Sequence, residues 1–436
     1  MKQRLLVLSM DAMIGEDLEY LANKPNFSRL FSRAARVEKI RTIYPSITYP
    51  AHAALITGCR VGTHGIVDNT HWDNAWSKQG WYIDSRDIRV EDLFAAAKRQ
   101  GYSTAAVYWP VTAHNPNIDY NINEYTPGII PGYPSPEDAL IATGANPAAM
   151  EAVRENLHRL PWGSRAEMGI VKETTYDDFL NGCACSLIRK YQPELLLLHN
   201  SMLDTARHRY GVFNDRIRSH LDMTEEWLGD LIAALEEVGL FEETNFVLVS
   251  DHGQLDFARR MRLNTKLVRD GYITLDETGA MASWKAYIKS TGMSAYVYLS
   301  DPAWEDEIYD YLKRLEKEGV WGFEAVLTRA QVKETYGLDG DFAFVLETDG
   351  YTSFADAWEE PICNPHDYSD YRLGNATHGY QPEKGPQPIF VARGPAFREG
   401  VVIPNAEIID EAPTLARVLG TEMPQAQGKC LEALLK

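Results

Sequence analysis

Long apolar runs are missing from this 436-residue chain. None reaches the ~18 residues of a membrane-crossing helix, so no membrane is expected as a partner. Cations are in deficit: 43 Lys and Arg face 62 Asp and Glu, a formal net charge of −19. That balance argues against a nucleic-acid polymer or an anionic lipid surface, both of which need basic faces. Cysteine is scarce, with five residues and no Cys-x-x-Cys. Reduced, buried thiols in a cytoplasmic protein are therefore the expectation, not a disulfide framework. The stretch Leu5–Met10 follows Lys2 and Arg4, but it is too short for a secretory signal and has no small-residue cleavage site before Asp11. It reads as a first buried strand. His-Glu-x-x-His is absent, which weakens a metallopeptidase reading. Repeats, low-complexity tracts and linkers are also absent, and nothing sets the oligomeric state.

What is present is a chain with 45% apolar residues, enough for a large core and more than one lobe. Apolar runs of strand length fall at 4–10, 103–108, 194–200, 245–250 and 388–393. Helical patterns fall at 26–35, 91–101, 175–191, 215–239 and 407–419. This alternation predicts an α/β fold, a mostly parallel sheet with helices on both faces. Continuous runs such as Leu195-Leu196-Leu197-Leu198 suit strands buried on both sides. The alternation breaks between about 256 and 376, where Ala295–Leu299, a charged helix at 303–318 and a strand near 342–347 suggest a smaller α+β lobe. The expected division is a core of 1–255 plus 375–436 and an inserted cap lobe of 256–374. A stretch rich in Pro, Asn and Gly at 110–170 reads as a long surface excursion near the site.

Asp and His residues mark the ends of these runs. Asp11 follows Leu5–Met10, Asp204 and His208 follow the Leu195 run, Asp251 and His252 follow Phe246–Ser250, and His378 precedes the run at 388. Strand ends converge on the carboxyl edge of a sheet, where α/β enzymes build their sites. Three Asp and three His are what two divalent cations of hard-to-borderline character need. Asp204 and His208 stand at i and i+4, on one face of a helical turn. Using both Asp251 and His252 requires the chain to turn, which Gly253 is expected to permit. Thr48 precedes Pro50, an N-terminal helix residue, in a short helix at 50–57 that ends at Gly58. A hydroxyl there meets free N–H groups and suits a nucleophile on an anion. Each motif alone has an ordinary explanation: a helix cap for Thr48, a turn-starter for Asp11, solvated faces or loops for the others.

Taken together, the order Asp11, Thr48, Asp204-x3-His208, Asp251-His252-Gly253, Thr377-His378-Gly379 resembles the alkaline phosphatase superfamily. Within it the chain resembles the type I phosphodiesterase/nucleotide pyrophosphatase family. Thr48-Tyr49-Pro50-Ala51-His52, with Leu55-Ile56-Thr57-Gly58 and His64-Gly65-Ile66-Val67, is similar to that family's nucleophile segment. The resemblance covers most of 1–255 and 375–436. It implies an alkaline-phosphatase-like three-layer αβα sandwich. It implies hydrolysis of phosphodiester or pyrophosphate bonds in a small, nucleotide-like phosphorylated substrate through a phospho-threonine at Thr48. It further implies two divalent metals, zinc being the usual one. Asp11, Asp251, His252 and Thr48 would share one, and Asp204, His208 and His378 the other. Asn69, with N–H groups near residue 49, would hold phosphoryl oxygens. Two positions depart from the family pattern. Tyr49-Pro50-Ala51-His52 stands for the usual Phe-Pro-Asn-His, and His199 stands where nucleotide-cleaving members carry a base-stacking aromatic. A phosphomonoesterase or phosphonate hydrolase with the same site is the alternative, favoured by a cation such as Arg259, Arg260 or Lys285 reaching the phosphate. A metal-binding protein without turnover would lack Thr48 or a ligand, and none is lacking.

Overall fold

A computed structural model describes residues 2–72, 80–124, 133, 135–159, 175–365 and 375–436. Its centre is an eight-stranded sheet. In chain order the strands are β1 (Arg4–Met10), β2 (Ala35–Arg41), β3 (Thr104–Val107), β4 (Tyr120–Ile122), β5 (Leu195–Asn200), β6 (Thr244–Val249), β7 (Phe390–Arg393) and β8 (Val402–Glu407). They lie side by side as β8-β2-β7-β6-β1-β5-β3-β4. Only β7 runs against its neighbours.

Alternation along β1 explains the layers. Leu6, Leu8 and Met10 pack into one core with residues of helices Pro25–Phe31, Pro147–Asn156, Thr175–Tyr191 and Asp215–Glu237. Leu5 and Val7 point to the opposite core, with helices Thr48–Thr57, Leu93–Arg99 and Glu411–Val418. The result is an αβα sandwich. A four-stranded antiparallel sheet (Ala286–Ser290, Ser294–Leu299, Phe344–Thr348, Phe323–Thr328) carries its own apolar cluster with helix Glu305–Glu318. Its other face, through Tyr296 and Phe342, joins the second core.

Several expectations need correction. The helix expected at 26–35 stops at Phe31, and β2 begins at Ala35. β2 went unforeseen because its exposed face is charged, and β8 because Pro404 and Asn405 interrupt its apolar run. The stretch 110–170 is not a bare excursion: it supplies strand β4 and two helices, Pro136–Ala142 and Pro147–Asn156, that bury residues in the first core. Its Thr126-Pro127-Gly128 and Pro131–Gly132 turns lie outside the described residues. Five cysteines are unpaired, but only Cys59, Cys183 and Cys185 are buried. Among the described residues no helix is long and apolar enough to cross a membrane.

Candidate active site

The carboxyl ends of β1, β5 and β6 deliver the ligand candidates to one place. Asp11 directly follows β1, and its N–H donates to the Asn200 carbonyl at the end of β5 (2.9 Å). Asp251 and His252 follow β6. Asp204 and His208 stand one turn apart on helix Met202–Tyr210, as their spacing predicted. Residues 376–377 pair with 255–256, which brings His378 back to the same edge.

Donor atoms converge in two groups. One oxygen or nitrogen from each of Asp11, Asp251 and His252 lies within 4.8 Å of the others, and the same holds for Asp204, His252 and His378. His252 belongs to both. Its Nε2 sits 3.1 Å from Asp251 Oδ2 and 3.6 Å from Asp11 Oδ1. His208 Nε2 lies 3.2 Å from Asp204 Oδ2, and His378 Nε2 lies 3.8 Å from Asp204 Oδ1. All six expected ligands are thus gathered.

The three imidazoles are set alike. His252 Nδ1 faces the Gly253 carbonyl at 3.2 Å, His378 Nδ1 faces Ser46 O at 3.1 Å, and His208 Nδ1 faces Ala376 O at 2.8 Å. A carbonyl only accepts, so each Nδ1 carries the hydrogen. Burial holds His252 and His378 below the usual imidazole range, so their Nε2 atoms keep a lone pair toward the site. His208, though buried, is raised by the Asp204 carboxylate its Nε2 faces; that proton is one a bound cation would displace. Asp11 Oδ1 and Asp251 Oδ2 are buried without a hydrogen-bond partner. Burial, then the neighbouring Asp251 and Asp204 charges, hold the Asp11 carboxyl well above the usual carboxylate range. Burial also pushes Asp251 up to about 7. Burial alone would raise Asp204 as well, but His208, His378 and His252 outweigh it and hold that carboxyl below its ordinary value. Carboxylates crowded beside imidazoles with free Nε2 atoms fit divalent cations.

Thr48 is the first residue of helix Thr48–Thr57 and not its cap: Ile47 occupies the cap position, without a side-chain bond. This leaves the hydroxyl free for the site, where Oγ1 is 3.1 Å from His252 Nε2. Asn69 Oδ1 accepts from the Tyr49 N–H at 2.9 Å. That N–H, expected to bind a phosphoryl oxygen, is therefore engaged, and Asn69 keeps its amide Nδ2 as the available donor.

Gly253 plays another part than expected, and the structure places His199 and the three cations of the second lobe. Gly253 is not needed for a left-handed turn, since its φ lies outside that region. It is needed because a Cβ there would stand 2.3 Å from Pro386 O. His199 is fully buried, 3.5 Å from Asp11 Oδ2 and edge-on to His52, so it offers no open face for stacking a base. Arg259 pairs with Asp349 and Lys285 with Glu307. Arg260 lies over Phe257 at 5.4 Å.

Supporting residues escaped the sequence. Arg207, between the two ligands of the Asp204 helix, is buried and bonds both Asp17 oxygens (2.7 and 2.9 Å) and the Ala12 carbonyl. Gln254 Nε2 holds Asp204 through its carbonyl and carboxylate. Asp177 accepts the N–H groups of Ser201 and Met202 that open the same helix. Arg207 reads from sequence as a solvated helix residue, and only Gln254 is flagged, by its place beside Asp251-His252-Gly253.

With this geometry in hand, comparisons with known proteins converge. The family model described as type I phosphodiesterase / nucleotide pyrophosphatase matches residues 5–381. A bis(5'-adenosyl)-triphosphatase enpp4 of Mus musculus is 22% identical over 98% of this chain and 81% of its own length. A venom phosphodiesterase of Naja atra is 24% identical over 93% of this chain and 43% of its own. Among solved structures, murine ectonucleotide pyrophosphatase / phosphodiesterase 5 superposes with a TM-score of 0.70 at 20% identity, covering both chains fully. An inactive form of that murine protein, in complex with AMP, gives 0.69.

Proposed function

The chain belongs to the type I phosphodiesterase / nucleotide pyrophosphatase family of metal-dependent hydrolases, and we propose that Thr48 is the nucleophile with which it cleaves phosphodiester or pyrophosphate bonds of a small, nucleotide-like substrate. The observation that carries this reading is the position of Thr48 Oγ1, 3.1 Å from Nε2 of His252, the residue that both donor groups share. Asp11, Asp251, His252 and Thr48 would hold one divalent ion, and Asp204, His208 and His378 a second. Mixed nitrogen and oxygen donors suit zinc. Bound there, the ions supply positive charge that stabilises the attacking and departing oxygens of an in-line displacement.

The chain's own residues do the rest. Thr48 gives up its hydroxyl proton to solvent and Oγ attacks phosphorus. The Oγ–P bond forms as the P–O bond to the leaving group breaks, and the leaving oxygen departs with its electron pair. Asn69 Nδ2 donates to a non-bridging oxygen as charge grows there. Water then attacks the threonine ester from the side the leaving group left, which restores the hydroxyl and releases product. Two in-line displacements leave the configuration at phosphorus retained.

A nucleotide-like substrate is supported by the adenosyl-triphosphatase relatives and by the AMP held in the murine structure. A diester is favoured by the phosphodiesterase names of the relatives. Arg259 and Lys285 are paired with Asp349 and Glu307, and Arg260, whose charge is felt at His208, is the cation that would serve a monoester. The test is a rate comparison of wild type and Thr48→Ala, zinc present, on bis(4-nitrophenyl) phosphate, 4-nitrophenyl phosphate and phosphonoacetate. Wild type is expected to prefer the diester, and Thr48→Ala to lose turnover while keeping its metal. Near-full activity in Thr48→Ala would sink the covalent route. Preference for the monoester or the phosphonate would overturn the substrate class.

A further inference from the structure

β7 runs against its neighbours, so its carboxyl end emerges at the amino ends of β2 and β6, on the edge opposite the metal ligands. At about 3.3 Å per residue, the 6 residues of β6 put roughly 20 Å between the two edges. The chain leaving β7 turns at Gly394, whose φ is +133° and where a Cβ would stand 2.6 Å from Asn245 Cα. The loop that follows is pinned through its backbone. Ala396 N–H donates to Asn245 Oδ1 (2.8 Å), Arg398 N–H to Leu434 O (2.8 Å) and Gly400 N–H to Arg33 O (2.9 Å). Between this fixed loop and the segment 29–35 lies a cavity of about 310 Å³, within the size range of small-molecule sites.

Four arginines line the cavity, Arg29, Arg33, Arg393 and Arg398, against two carboxylates, Glu242 and Glu399. This is a local excess of positive charge on a chain whose net charge is −19. Arg29 and Arg393 both rest on the Phe241 ring, at 4.6 and 4.7 Å, so one ring fixes two guanidiniums. Among the described residues the Arg398 side chain has no acidic partner. The other three pair with exposed glutamates: Arg29 with Glu236, Arg33 with Glu399 and Arg393 with Glu242. The Glu242 side chain is 79% exposed and that of Arg393 only 20%. The carboxylate can therefore swing into solvent while the guanidinium stays in place. Exposed pairs of this kind contribute little, and a phosphoryl group, which takes two N–H bonds from one planar guanidinium, replaces such a partner with better geometry.

We propose that this cavity is a second anion site, away from the catalytic edge, and that it takes a small phosphorylated molecule carrying two or more negative charges. Its concave shape and rigid walls suit a small molecule better than a bilayer surface.

Fructose 1,6-bisphosphate is a suitable probe, since it holds two phosphomonoesters and no diester or anhydride bond. Calorimetric titration of the metal-loaded protein is expected to show an arginine-dependent site beside any binding at the metals. Arg398→Glu alters an exposed side chain with no acidic partner to lose. It should weaken that site about tenfold or more, the scale of a charged hydrogen bond, and leave turnover of bis(4-nitrophenyl) phosphate unchanged. Arg393→Ala should do the same, with unfolding midpoints showing that both variants are folded. Arg314→Glu, on helix Glu305–Glu318, makes the same change in net charge elsewhere and should leave binding as in wild type. Identical titrations of wild type and Arg398→Glu overturn the site. An equal loss in Arg314→Glu reduces it to net charge and overturns it too. If wild type cosediments with phosphatidylglycerol vesicles and Arg398→Glu does not, while both bind the bisphosphate alike, the patch docks a membrane and the ligand class is overturned. Thr48 takes no part in this binding, so none of these outcomes bears on the nucleophile.

Discussion

Asn69 is held from both sides: its side-chain oxygen takes the Tyr49 N–H, and its own N–H donates to Asp68 Oδ1 at 2.6 Å. Its free amide donor is thus fixed beside Thr48 before substrate arrives. A preorganised donor to developing charge acts on kcat more than on KM. Asn69→Ala is therefore expected to lower kcat by about 10²-fold with a small change in KM. A rise in KM at constant kcat would show that Asn69 only binds. His378 allows a pH prediction at the same scale. Burial lowers it from 6.5 to about 4. Between those values the unfolded chain takes up a proton that the folded chain refuses, so stability is lost as pH falls from about 6.5 toward 4. In metal-free protein the loss at this one residue is about 3 kcal/mol. His378→Asn should flatten that part of the stability–pH curve, read by guanidinium unfolding. An unchanged slope would mean His378 is protonated in the folded state.

At the scale of elements, the strand Ala286–Ser290 reaches the site through a buried ion pair. Lys289, on strand Ala286–Ser290, bonds Asp68, the neighbour of Asn69. Lys289→Met leaves the Asp68 carboxylate buried and unpaired, a change expected to cost about 3–5 kcal/mol. Asp68→Asn/Lys289→Met together should recover most of that. Unfolding midpoints of the two variants decide it, and a double variant no better than the single would mean the pair is not coupled. Such a link was illegible in the sequence because its partners stand 221 residues apart. What was legible follows local rules. Gly58 ended the Thr48 helix as expected, though the helix starts two residues before Pro50, Asp204 and His208 shared a helical face, and the unbroken Leu195 run marked a strand buried on both faces. β2 was missed because its alternating charges hide a one-sided strand. Arg207 was missed because a buried arginine between two helix ligands looks, in sequence, like a solvated one. His199 was placed at the right strand end, but its burial was illegible because it depends on Tyr108 and His52, which come from other elements.

The whole molecule carries a net charge of −19, yet its site must attract a phosphorylated anion. Bound divalent cations reconcile the two by making the site locally positive. Without them, Asp11 and Asp251 are held above the ordinary carboxylate range by burial and by neighbouring carboxylates, Asp251 at about 7. Folding therefore gathers carboxyls that retain protons near neutrality, and a cation must displace those protons to bind. The sign follows. Above about pH 7 Asp251 is already ionised and its proton no longer opposes binding; below it that proton must be displaced, which weakens affinity about tenfold per pH unit. Zinc titration of chelator-stripped protein should give tighter binding at pH 8 than at pH 6. Proton release should grow toward the lower pH, measured calorimetrically in buffers of different ionisation enthalpy. Zinc at 100 times its Kd should also add about 2.7 kcal/mol to unfolding stability. His208→Ala should keep one ion where wild type keeps two, by elemental analysis. Affinity and proton release that do not change between pH 6 and pH 8 would mean that these carboxyls do not hold the metal.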